Sequence, residues 1–177
     1  MCDVRFAHSP GRFDWSYLGS LRAFDVAFVL DLGDSTQGMV ALDTRYHEAS
    51  KQAIAKPGGR PRQREVAKKS GAFRRGAVDA VDKTDLLLMS LEHLLLLSML
   101  QHESGTWTWG RYVTVYPAGN SDSAGACARY RGFLADESTY ACVTVEELLD
   151  AKALPATTAE ALRERYVAIE MSRGDLT

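Results

Sequence analysis

Fifteen residues from Leu86 to Leu100 are apolar on almost every side, interrupted only by two serines, Glu92 and His93. A helix with no polar stripe must be covered all round, by a sheet on one side and by neighbouring elements on the others. The run is too short and too polar to cross a bilayer, which takes ~20 apolar residues. The residues C-terminal to it meet that demand. Tyr112–Tyr116 (YVTVY) reads as a strand ended by Pro117-Ala118-Gly119, since β-branched and aromatic residues fit a pleated surface. A strand, a buried helix and a second strand in that order predict a crossover between parallel strands.

The region before this run alternates. Phe24, Val26, Phe28 and Leu30 interleave with Asp25, Ala27 and Val29, a period of two that predicts a strand. Asp31–Gly38 is rich in turn formers. Met39 to Tyr46 then reads as a second strand, with Met39, Ala41, Asp43 and Arg45 on one face. Val4–Ala7 suits a short strand. Ser121 or Ser123 is placed to cap a helix through Leu134, and Tyr140–Thr144 reads as a strand. Thr144-Val-Glu-Glu147 and Thr157-Thr-Ala-Glu160 each have capping-box spacing ahead of a helix. The resulting order is hairpin, basic segment, helix, strand, helix, strand, helix, helix. That is an α/β mixed sheet with flanking helices, and 177 residues fit one domain over 1–177.

Charge narrows the rest. The 21 Lys+Arg nearly balance 23 Asp+Glu, so the chain is no polyelectrolyte as a whole. Residues 51–76 nevertheless carry nine basic side chains and one acid, Glu65. Pro57, Gly58, Gly59 and Pro61 predict a mobile loop over 51–62, with a short helical piece at Arg64–Lys69. Arg60, Arg62, Arg64, Lys68 and Lys69 would contact phosphates by counterion release, or simply face water. Trp107 and Trp109 alternate in TWTWG, a pattern open to strand packing or to base stacking. Cys2, Cys127 and Cys142 are scattered and make no disulfide framework. The expectation is reduced thiols in a cytoplasmic protein with no membrane span and no zinc spacing. MCDVRFAHSPG has no signal-peptide pattern.

The residues with chemistry to offer are Asp25, Asp43 and Arg45. If the turn centres near Asp34, positions summing to about 68–69 oppose each other. Asp25 then lies opposite or diagonal to Asp43, with Cβ atoms roughly 4.5–5.5 Å apart if directly opposed. Paired carboxylates repel unless a cation sits between them. Mg²⁺ suits such a site, taking one or two carboxylates with water and phosphate oxygens. Arg45 projects from the same strand face and can neutralise charge at phosphorus. An ordinary surface ion-pair cluster fits the same spacing.

Phe24-Asp25-Val26, a glycine-containing hairpin and Leu42-Asp43-Thr44-Arg45-Tyr46-His47-Glu48 resemble the core signature of the PD-(D/E)XK nuclease superfamily. More narrowly, they resemble a bacterial restriction-endonuclease-like group with A-F-D followed by I-E-x-K-Y-x-E. Ala7–Gly11, Glu92–Leu95, Tyr116–Asn120 and Arg163–Tyr166 extend the resemblance across most of residues 4–167. It implies a restriction-endonuclease-like fold and Mg²⁺- or Mn²⁺-dependent hydrolysis of DNA phosphodiesters, of restriction or defence type. Asp25 and Asp43 would be the metal-binding acids, Arg45 would stand in the place of lysine, and Glu48 would follow the trailing acid. Glu92 or His93 would face the site from the helix; His47 would lie exposed at the strand's end.

Three departures qualify the implication. Asp43 stands where the pattern usually has Glu. Arg45 stays protonated and cannot accept a proton as a lysine of lowered pKa can. The first core helix, which can supply another acid, has only about 22 residues to form in, so the fold is expected to lack it. Three readings remain: a nuclease with D-x-R in place of E-x-K, a catalytically impaired relative that binds nucleic acid or a protein partner, or, with the resemblance set aside, a small α/β interaction protein whose basic loop is merely soluble. One basic segment on a near-neutral chain makes a homodimer or a separate specificity partner plausible.

Overall fold

The computed structural model describes residues 3–45, 60–82, 84–152 and 156–164. Five strands form one sheet in chain order: β1 (Asp3–His8), β2 (Phe24–Gly33), β3 (Thr36–Thr44), β4 (Trp107–Tyr116) and β5 (Tyr140–Thr144). β1, β2 and β3 are antiparallel neighbours, whereas β3–β4 and β4–β5 are parallel. This mixed sheet with flanking helices is an α/β restriction-endonuclease-like arrangement. No helix precedes β2 among the described residues; an edge strand stands there instead.

The two faces are covered differently. Ala27, Val29, Met39, Ala41 and Tyr112 point inward and are buried. They are covered by α1 (Arg60–Ser70), α2 (Ala77–Val81), α3 (Leu87–Leu100) and α4 (Ser121–Arg131), which contribute to the same core. On the other face, α5 (Val145–Asp150) and α6 (Ala156–Leu162) cover Val113 and Val115. The Leu86–Leu100 run is α3, with Leu94, Leu95 and Leu96 fully buried. Each such leucine contributes about 1.5–3 kcal/mol of transfer free energy. Gly110 lets this helix approach β4, since a Cβ there would lie 2.8 Å from Leu96 Cδ1.

Several boundaries differ from expectation. The helical piece of the basic segment runs from Arg60 to Ser70, because Pro61 is compatible with a helix's first turn. Residues 51–59 lie outside the described residues. The second hairpin strand ends at Thr44, before Arg45. The YVTVY strand reaches back to Trp107, so TWTWG belongs to β4; Trp107 is buried and Trp109 is exposed. The Asn120 side chain caps α4 by accepting from Ser123 N, so neither serine is the cap, and the helix stops at Arg131. Thr144 forms its capping box with Glu147 as expected. Thr157 lies inside α6, which already begins at Ala156. Cys127 and Cys142 are free thiols, and no helix among the described residues is long and apolar enough to cross a membrane.

Candidate active site

The β2–β3 register decides where the aspartates stand. Val26 pairs with Leu42 and Ala27 with Ala41, so each pair sums to 68. Continued one step past its last pair, this register sets Asp25 opposite Asp43. Asp25 Oδ2 accepts from Thr44 N and from Thr44 Oγ1, both at 2.8 Å. Its carboxylate is thereby drawn over the end of β3.

Asp43 is held by different partners. Its Oδ2 accepts from Arg45 Nε at 2.7 Å and from Tyr112 Oη at 3.1 Å. Arg45 itself is fixed through its backbone: its N–H donates to Val115 O at 2.8 Å, and its carbonyl accepts from Asn120 Nδ2 at 3.4 Å. The Arg45 and Asp43 side chains are only 10% and 15% exposed, so solvent screens their ion pair weakly. Burial opposes the charge on Arg45, yet Asp43, with Tyr112 and Glu92 nearby, holds the guanidinium above its ordinary range. It is a permanent cation.

Tyr112 links a third acid to this pair. Its hydroxyl lies 3.0 Å from Glu92 Oε2 in α3. Burial, reinforced by the charge of Asp43, pushes the Glu92 carboxyl up to about 8, against smaller opposing effects of Tyr112, Arg45 and Arg22. One phenol proton cannot serve two carboxylates fully. A proton kept on Glu92 at neutral pH resolves that conflict. His93, the neighbouring candidate, turns elsewhere. It is fully buried, bonds Tyr130 Oη at 3.0 Å and Thr139 Oγ1 at 2.9 Å, and burial lowers its pKa to about 3. It is a neutral core group. Tyr112 was missed as a site residue because a tyrosine in YVTVY carries the same β signal whether or not its hydroxyl meets an acid.

Two hard oxygen donors are available for a cation. Among the described residues nothing hydrogen-bonds Asp25 Oδ1 or Asp43 Oδ1. Thr114, in register with Asp43 on β4, has a buried hydroxyl with no partner among the described residues. A hydrated ion at the carboxylates would give that hydroxyl a neighbour. No group of three or more His, Cys, Asp or Glu ligands occurs among the described residues; a carboxylate pair would need water and phosphate oxygens to complete a shell, as Mg²⁺ accepts. His47 and Glu48 lie outside the described residues.

The basic candidates separate. Arg62 donates to Tyr17 O at 2.8 Å and Ser16 O at 3.0 Å and pairs with Glu65, so it fastens the β1–β2 loop to α1. Arg64 pairs with Asp79 at 2.7 Å, while Lys68 and Lys69 are exposed. Arg64, Lys68, Arg74 and Arg75 line a cleft of about 580 Å³ beside α2. Arg60 begins α1.

A family model of the PD-(D/E)XK nuclease superfamily matches residues 1–168. The chain belongs to the PD-(D/E)XK nuclease superfamily. No curated protein and no solved structure matches it. Nucleases of this superfamily generally use divalent metals and act on nucleic acid.

Proposed function

We propose that this PD-(D/E)XK protein is a divalent-metal-dependent endonuclease that hydrolyses DNA phosphodiesters, a cytoplasmic enzyme of restriction or defence type. The observation that carries the reading is the opposition of Asp25 and Asp43 at the end of the β2–β3 ladder, each with one carboxylate oxygen left without a partner among the described residues. Asp25 and Asp43 hold Mg²⁺ or Mn²⁺, and Glu48 stands near them in the sequence as the trailing acid. The ion, when bound, polarises a phosphate oxygen and activates water.

The chain's own residues do the rest. Thr44 aims Asp25 through two hydrogen bonds. Tyr112 and Arg45 fix one oxygen of Asp43 and leave the other free. Arg45 keeps its charge throughout, so it stabilises anionic phosphate and takes no proton. Arg60, Arg64, Lys68 and Lys69 meet the backbone phosphates, and Arg62 supports them by anchoring the loop.

The closed Arg45–Asp43 pair also supports a second reading, a nuclease fold that binds nucleic acid without turnover. The arginine already neutralises the second acid, and the place of a lysine base is filled by a permanent cation. End-labelled DNA incubated with the full chain in Mg²⁺ or Mn²⁺ separates the two. The endonuclease reading predicts cleavage that is lost both in EDTA and in Asp43→Ala. Binding with no cleavage by the wild type, and cleavage gained by Arg45→Lys, would establish the second reading instead.

A further inference from the structure

The β1–β2 connection, residues 9–23, is tightly built yet turns two aromatic side chains to solvent. Phe13 N–H donates to Ser20 O at 3.0 Å, Gly19 N–H to Asp14 O at 2.9 Å, and Ser16 N–H to Asp14 Oδ1 at 2.8 Å. Arg62 clamps the loop from α1. Tyr17 stacks on His102 with ring centroids 4.3 Å apart, and Leu18 enters the core. A loop this well anchored has no packing need to leave Phe13 61% and Trp15 56% exposed.

Two details show that the Phe13 backbone and the Trp15 ring are held in place. Phe13 sits at φ 60°, a left-handed conformation that a bulky residue rarely takes. Strain of this kind persists only where the surroundings impose it. The Trp15 indole lies flat on Gly19. A Cβ at Gly19 would stand 2.7 Å from both Cδ2 and Cε3 and 3.0 Å from Cε2, an approach to the ring face. Gly19, at φ 63°, therefore supplies both the turn and the seat for the ring. One face of the indole is fixed against backbone, and the ring remains largely exposed.

Charge and position select the occupant. Arg12 and Arg22 flank the aromatics, and neither has an ion-pair partner among the described residues. Arg22 is close enough to act on the Glu92 carboxyl, and Phe13 is bonded to Ser20, two residues away. The loop runs directly into Phe24 and Asp25. Fixed aromatic faces with unpaired arginines beside an acid site suit unpaired nucleobases on a phosphate backbone, because every base offers a π-face and duplex bases are already stacked.

Resting on the nuclease reading, we propose that Trp15 and Phe13 form a base-stacking platform, with Arg12 and Arg22 as its phosphate contacts. The substrate it serves is nucleic acid with unpaired bases. The test is fluorescence anisotropy of a labelled 20-nucleotide oligothymidine and of a mixed-sequence duplex of equal length, both in EDTA so that no cleavage intervenes. Wild type is expected to bind the single strand more tightly than the duplex. Trp15→Ala should weaken single-strand binding by about 5- to 100-fold, the value of stacking one base, with near-ultraviolet circular dichroism and melting unchanged away from the loop. Trp15→Phe should restore most of the affinity, and Phe13→Ala supplies the same reading if the tryptophan variant fails to fold. Single-strand affinity unaltered in both Trp15→Ala and Phe13→Ala, or a wild-type preference for the duplex, would overturn the platform. Metal-dependent cleavage of duplex DNA surviving alongside that result would leave the nuclease reading intact.

Discussion

Asp43 presents two chemically different oxygens. Oδ2 is occupied by Arg45 and Tyr112, while Oδ1 has no partner among the described residues. Removing the arginine would leave a partly buried carboxylate beside Glu92 with no cation, so Arg45→Ala is expected to lower stability by about 3 kcal/mol in urea denaturation. Glu92 makes a prediction with a definite sign. Its folded pKa of about 8 lies above the ordinary glutamate value. The folded state therefore holds this proton more tightly than the unfolded chain. The associated stability is fully present below about pH 4.5, fades as the pH rises, and is lost above about 8. Glu92→Gln cannot ionise. Compared with wild type by thermal melting, it should gain relative stability from pH 5 to about pH 8 and level off above it; a constant difference from pH 5 to pH 9 would show that Glu92 is not held neutral.

At the scale of elements, the capping box of α5 is the most local device. Thr144 accepts from Glu147 N at 3.1 Å, while Glu147 Oε2 accepts from Thr144 N at 2.7 Å. Thr144→Ala should cost about 1 kcal/mol, measured by chemical denaturation. That helix start was readable because both halves of the box lie within four residues. The β2–β3 register was equally readable, since alternation and turn residues fix which side chains oppose each other. The α4 cap was misassigned because Asn120, Ser121 and Ser123 are all competent cap residues, and only backbone geometry selects among them. The place of Glu92 was half legible. A charged pair in an apolar helix needs partners, but sequence could not tell which of Glu92 and His93 faced Asp43. That choice depends on Tyr112, 20 residues away on β4, and on how the helix is rotated against the sheet. Arg62 shows the same limit, because besides Glu65 its partners are backbone carbonyls more than 40 residues away.

For the molecule as a whole, the proposed nucleic-acid binding combines a near-neutral chain with basic side chains on α1. Lys68 and Lys69 are exposed. If they contact phosphates, replacing both with alanine should reduce the slope of log affinity against log salt by about 1.4–1.8, measured by anisotropy on labelled DNA across a salt series. The proposed catalysis rests on something independent of that surface and of any target sequence: Asp25 and Asp43, brought together by one hairpin, acting as a single divalent-cation site. Titrating Mn²⁺ into the full chain by isothermal calorimetry tests this directly. Such a site requires a saturable binding heat for wild type that is abolished in Asp25→Asn and in Asp43→Asn. No heat in the wild type, or undiminished binding in either variant, would contradict it.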